Sequence, residues 1–262
     1  MSLTQIIKTE LYKNSHRKSS LILFLPMVLT VIVTLGYAQG VIELNLITGG
    51  SGTYSCMDFV FIVWNVLSGL GILGILMILF AALQFSGEIE RGQIKFMLLR
   101  TGNRATVVWG KYLATVMVTV VFIAGTLFVS IVSYYLFLSG SSIGTGTFAS
   151  TIDGFSTMNI WGSIALQIIV YLFLTGVTFL AGMFVNPFVK FMLTLFVMYV
   201  INYLAGAENR ISRLLPNYWS SQMALNKTVQ AIPVFTSVVA IVVLTLMLLS
   251  VTIMLFQKQD IK

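Results

Sequence analysis

The chain has 262 residues, of which 58% are hydrophobic and only 9% charged, against roughly a quarter charged in ordinary soluble domains. So few charges cannot cover a water-soluble fold of this size, which excludes a soluble enzyme, a disordered chain and a disulfide scaffold and indicates a polytopic membrane protein. The formal net charge of +7 must then be read against membrane topology before nucleic acid is considered. One Cys (Cys56) and one His (His16) permit neither an intrachain disulfide nor a Cys/His metal cluster.

In chain order, residues 1–18 place Leu3, Ile6, Ile7 and Leu11 at helical spacing, with Lys8 and Lys13 largely elsewhere. That pattern predicts a basic amphipathic helix in the membrane interface; the alternative is a basic flank for the first span. It lacks a signal-peptide cleavage pattern, so insertion through an uncleaved first span is expected. A bilayer core about 30 Å thick needs about 20 apolar residues per helix. Six stretches supply them, at about 20–39, 59–85, 107–139, 160–185, 188–205 and 233–256. Between the second and third, residues 86–106 carry Glu88 and Glu90, then Arg91, Lys95, Arg100 and Arg104, with Ile89, Phe96, Leu98 and Leu99 as apolar surface. Early acids and a late Arg suit the helix dipole, and Thr101–Gly102–Asn103 ends the run. A short helix lying across one membrane face is predicted, or else a solvated loop. Asn186–Pro187 divides spans four and five by a tight turn, since Pro is favoured at a helix start. In 206–232, Ile211, Leu214, Leu215, Tyr218 and Trp219 form an amphipathic stripe that Pro216 should split into two short outer helices. The whole, 1–262, reads as a single all-α transmembrane domain of six helices.

Orientation follows from Lys and Arg. With the N-terminus inside, the cytoplasmic set is Lys8, Lys13, Arg17, Lys18, Arg91, Lys95, Arg100, Arg104, Lys111, Lys190, Lys258 and Lys262, which is twelve of the 15 basic residues. Arg210, Arg213 and Lys227 lie outside. The acids divide evenly, so the +7 resolves into an excess of positive charge on the cytoplasmic face. Both termini are therefore expected in the cytoplasm. Trp64, Trp109 and Trp161 fall near predicted span ends and Trp219 in the outer segment, consistent with the Trp preference for the headgroup zone; the alternative is that they are packing residues.

Several chemistries are excluded. No Asp, Glu, Arg or His falls at mid-span, which argues against an ion-coupled transporter; Lys111 and Lys190 lie near inner ends, where they can snorkel. Gly154–Phe155–Ser156 has no histidine partner but His16, across the membrane, so a serine protease fails, and no H-E-x-x-H is present. Asn186–Pro187–Phe188 has no second copy to make a water channel. Gly110–Lys111–Tyr112 lacks the Ser/Thr and upstream Gly of a Walker A loop. If ATP drives this protein, another subunit must bind it.

With those elements in place, the chain resembles the ABC-2-type family of ABC transporter permeases over nearly its whole length. The resemblance rests on the basic N-terminal helix, six spans with both ends inside, the split outer helices, and above all the order Glu88, Glu90, Gly92, Phe96–Leu99, Arg104 and Gly110–Lys111 between spans two and three. Many members carry Pro before the basic residue, where this chain has Gly102–Asn103. The resemblance implies that 86–106 is a coupling helix docking on a cytoplasmic ATPase subunit. Glu88, Glu90, Arg91 and Lys95 would give polar register, Ile89, Ile94 and Phe96 buried contact, with Gly92, Arg100 and Arg104 completing the candidate site. Reversing Glu88 and Glu90 is then expected to uncouple transport without unfolding the chain. The chain itself would bind no cofactor; ATP and Mg2+ would sit on the ATPase, and a second permease protomer, identical or not, would complete the pathway.

Small members with short loops resemble bacterial permeases for antimicrobial-peptide immunity or export, implying an amphipathic peptide cargo. Lipid, glycolipid or drug efflux is the alternative within the class. A six-span substrate-binding importer subunit and a membrane scaffold or sensor are alternatives outside it. Asn65, Gln84, Gln167 and Asn202 fall in or near spans and read as helix-packing hydrogen bonds.

Overall fold

The computed structural model describes residues 2–41, 53–90, 93–101, 103–150, 156–184, 186–207, 209–225 and 229–258, with the side chains of Ser86, Gly87, Ile89, Glu90, Gln93 and Lys95 outside that description. Within these residues the protein is helical. In order the helices are α1 (Leu3–His16), α2 (Leu25–Ala38, led in by a 3-10 turn at Lys18–Phe24), α3 (Cys56–Gly69), α4 (Ile72–Glu90), α5 (Gln93–Thr101), α6 (Arg104–Ser133, prolonged by a π turn at Tyr134–Leu138), α7 (Thr157–Ala181), α8 (Pro187–Gly206), α9 (Pro216–Ala224, preceded by a 3-10 turn at Ser212–Leu214) and α10 (Ala231–Lys258).

Five of these stretches are long and apolar enough to cross a membrane: Lys18–Ala38, Arg104–Leu138, Thr157–Ala181, Pro187–Gly206 and Ala231–Lys258. Their outward faces carry apolar side chains, such as Val28, Ile32 and Leu35 on α2 and Val239, Val243, Leu246 and Met247 on α10. A water-soluble surface does not carry belts of this kind, whereas lipid matches them. The protein is an all-α, membrane-spanning one. Hydroxyls inside the spans return to the carbonyl one turn earlier, as Thr30 does to Pro26 (2.8 Å), Thr34 to Thr30 (2.7 Å) and Thr178 to Leu174 (2.8 Å), so they cost little in an apolar medium.

The expected second span, 59–85, is not one straight helix. It is the pair α3 and α4, bent by 58° where they meet. The chain turns at Gly71, whose φ of 73° suits glycine. The apolar run continues through the break, so hydropathy alone shows a single span. Its N-terminal end is closed by a capping box in which Ser55 and Asp58 exchange bonds, and Ser150 also donates to Asp58.

Other boundaries agree with the sequence reading. Asn186 caps α8, accepting from the Val189 N–H at 3.0 Å, and Pro187 opens the helix. Pro216 separates α9 from the preceding turn. Ile211 and Leu214 are exposed, and α9 packs on α7 through Ser220, whose hydroxyl meets that of Ser163 at 2.9 Å. Trp64 is a packing residue, 1% exposed, whose indole N–H donates to Gln167.

Two apolar clusters hold the bundle together. The larger gathers α3, the first half of α4, α7 and the far part of α6 around Phe59, Trp64, Phe80 and Tyr134. The smaller joins the end of α4, α5, the start of α6, the end of α7 and α10. There Phe85 stacks on Phe179 at 4.6 Å, and Tyr112 meets Phe179 edge-on at 5.8 Å. Arg104, at the start of α6, donates to the carbonyls of Phe256 and Gln257 at 2.6 and 3.0 Å. α1 lies along α6. Both ends of the described chain are thus gathered at the same end of the bundle as α5.

Candidate functional site

The site begins with the way α1 meets α6. Ser2 and Gln5 form a capping box that starts α1. Ile6, Glu10 and Asn14, one turn apart, are its buried positions, so the packed face is a mixed polar stripe. The close approach depends on Gly110, where an added Cβ would collide with the Ile6 side chain. This contact delivers Glu10 to Lys111, the residue after that glycine, with Nζ to Oε1 at 2.9 Å.

Glu88 enters from the last turns of α4. Its Oε2 meets the Lys111 ammonium, and its Oε1 meets both Lys13 and Arg17. Glu10 also lies 3.5 Å from Lys13, and Arg17 gives a second N–H to Gln84 Oε1 at 2.9 Å. Two carboxylates and three cations therefore form one network. Glu10, Glu88 and Lys111 are 2%, 2% and 1% exposed, while Lys13 and Arg17 close its rim.

The electrostatics follow from this packing. Glu88 sits near the C-terminal, negative end of the α4 dipole, a poor place for a carboxylate without cations. Burial alone would raise its pKa, but the charge of Lys111 and the hydrogen bonds from Lys111 and Lys13 outweigh that and hold it at about 2. Lys13 is also shifted below its ordinary value, first by burial and then by repulsion from Lys111. A network of this kind costs desolvation to form, and it is strongly destabilised when one member is removed.

The residues expected to form a docking surface are distributed differently. Glu88 belongs to the end of α4 and points inward, and its carboxylate is committed to the ion network; an acid placed before an apolar run need not open the next helix. Reversing it would set a fourth cation among three, so the expectation that this change spares the fold is withdrawn. Ile94 is fully buried in the smaller apolar cluster. Arg104 caps the end of α10 and lies 5.8 Å over the Phe256 ring. Phe96 and Leu99 on α5, at 69% and 83% exposure, are presented outward, as is Arg100. Arg91 and Gly92, and the side chains of Ile89, Glu90 and Lys95, lie outside the described residues.

Sequence reasoning missed Glu10, Lys13, Arg17 and Gln84 as a site and read Lys111 as a snorkelling residue. The available signals were Glu10 as the one acid among the first forty residues and its i, i+4 spacing from Ile6. The four amides in or near spans all make internal bonds. Asn65 donates to Phe61 O at 2.9 Å, Gln167 accepts from Trp64, Gln84 from Arg17, and Asn202 from Asn217 at 2.7 Å.

Fold and site together define an α-helical membrane protein in which α1, the end of α4 and the start of α6 are tied by a buried ionic network. Residues 25–262 match the model of the family described as "Protein of unknown function (DUF2705)", and the chain belongs to that family. No curated protein matches the chain significantly.

Proposed function

We propose that the protein is the permease subunit of an ATP-driven exporter of the ABC-2 type, with six spans and both termini in the cytoplasm of a bacterial cell-membrane protein. The observation that carries this reading is α5. It is a short helix between two spanning segments, at the basic end of the molecule, with Phe96 and Leu99 exposed beside Arg100. Two large apolar side chains flanked by a cation suit a protein contact better than solvent.

The ionic network gives that helix a mechanical role. Glu88 lies just before α5 and Lys111 just after it in the chain, and they are paired. A push on α5 by a nucleotide-driven ATPase would pass to α4 and α6 together, with α1 clamped to both through Glu10, Lys13 and Arg17. Docking contact is thereby assigned to Phe96, Leu99 and Arg100, and force transmission to Glu88 and Lys111. ATP and Mg2+ belong to the ATPase, and a second protomer completes the pathway. The cargo is an amphipathic molecule, a peptide by preference.

The test is purification from native membranes in mild detergent, with and without Phe96→Glu and Leu99→Glu. ATP hydrolysis should co-purify with the unaltered chain and disappear from the variant while its melting temperature is unchanged. Absence of any co-purifying ATPase would favour a membrane scaffold or sensor instead.

A further inference from the structure

At the end of the bundle away from the ionic network, three of the amides singled out in the sequence converge. Asn65 on α3, Gln167 on α7 and Asn202 on α8 line one cavity of about 410 Å3, together with Tyr171 and with Asn217 and Ser221 of α9. The volume is in the range of small-molecule sites, roughly 300–1,000 Å3. Ser68 and Gly69, in the last turn of α3 beside the bend, also line it. Among the described residues, none that line it is charged.

The hydrogen-bond inventory is informative. Asn65 spends one N–H on Phe61 O, which leaves its Oδ1 as an acceptor. Gln167 spends its carbonyl on Trp64, which leaves its NH2 as a donor. Asn202 and Asn217 are joined by a single bond, which leaves an NH2 on Asn202 and Oδ1 on Asn217, and that Oδ1 is buried without a partner. If both amides of this pair are turned over, one donor and one acceptor still remain. An apolar ligand would leave these groups unsatisfied, and a charged one would find no counter-charge. A secondary amide supplies one N–H and one C=O, the complement of what is free.

We infer that this cavity is a binding site for uncharged, amide-bearing amphiphiles. Peptide main chain and N-acetylated sugar share that chemistry. The inference deepens the permease reading by naming the cargo class, and it is measured as binding with no ATPase present, so either can fail without the other.

The experiment uses the full-length protein in lipid nanodiscs and equilibrium binding of two radiolabelled neutral probes, Nα-acetyl-trileucine amide and octyl N-acetylglucosaminide. Saturable binding of the peptide alone identifies main chain as the source, and saturable binding of the sugar alone identifies the glycan. Binding of both identifies the amide itself. In each case Asn65→Leu and Asn202→Leu should weaken binding about tenfold. A variant that does not fold is bypassed from the ligand side: the ester analogue of whichever probe binds, with oxygen in place of its amide N–H, should bind the unaltered protein about tenfold more weakly. Saturable binding of neither probe, or binding indifferent to both the substitutions and the ester replacement, would overturn the inference.

Discussion

The two ends of this bundle handle buried polarity in opposite ways. At one end, Glu10, Glu88, Lys13, Arg17 and Lys111 are brought together as full charges, each compensated by an opposite one. At the other, Asn65, Gln167, Asn202 and Asn217 are neutral amides around an open space, with bonding capacity left over. The charges at the first end compensate one another, a property suited to transmitting force between helices. The neutral end is incomplete by itself, a property suited to receiving a molecule.

The contrast is broken most severely at Glu88. Glu88→Lys should cost at least about 3–5 kcal/mol, the usual penalty for an uncompensated buried charge, and should abolish a monodisperse folded species in detergent. Lys111→Met leaves two buried carboxylates facing each other and should cost a similar amount, read as a large fall in thermal stability. Asn65→Leu, at the neutral end, should leave that stability nearly unchanged.

Acid acts on the charged end through Glu88. Glu88 is held at about 2 against an ordinary 4.5, so its stabilising contribution is complete above the higher value and is lost as pH falls toward the lower one. Thermal unfolding followed from neutral pH downward should show a decline starting near 4.5 that Glu88→Gln removes. Gly71→Ala places a side chain at a φ of 73° and should cost about 1–2 kcal/mol, measured by thermal unfolding. A smaller loss of stability is expected at Arg104→Ala. It removes the bonds to the last carbonyls of α10, worth roughly 0.3–1 kcal/mol at a helix C-terminus. Proteolysis near the C-terminus should accelerate.

The sequence and the structure agree where local chemistry decides. Long apolar runs announced the spans, Asn186–Pro187 announced the start of α8, and Pro216 announced the split before α9. The bend between α3 and α4 was hidden because Ser68, Gly69, Gly71 and Gly74 are small residues that leave the stretch apolar enough to read as one span. The ionic network was hidden for another reason. Lys13, Arg17 and Lys111 look like ordinary positive flanks of spans, and nothing in their spacing reveals that Glu10 and Glu88, far apart in the chain, meet the same ammonium. Assignment of Glu88 to a docking surface failed because helix-dipole reasoning placed it at the beginning of α5, whereas the α4 helix runs on to Glu90. The convergence of the amides likewise depends on how α3, α7, α8 and α9 pack, which periodicity does not encode.

The central claim is that α5 is the contact through which a separate ATPase drives this chain. Its most direct measurement is ATP hydrolysis recovered with the purified protein, compared between the unaltered chain and the Phe96→Glu, Leu99→Glu variant. The account predicts hydrolysis with the first, none with the second, and the same melting temperature for both. Equal hydrolysis in the two preparations, or none in either, would contradict it.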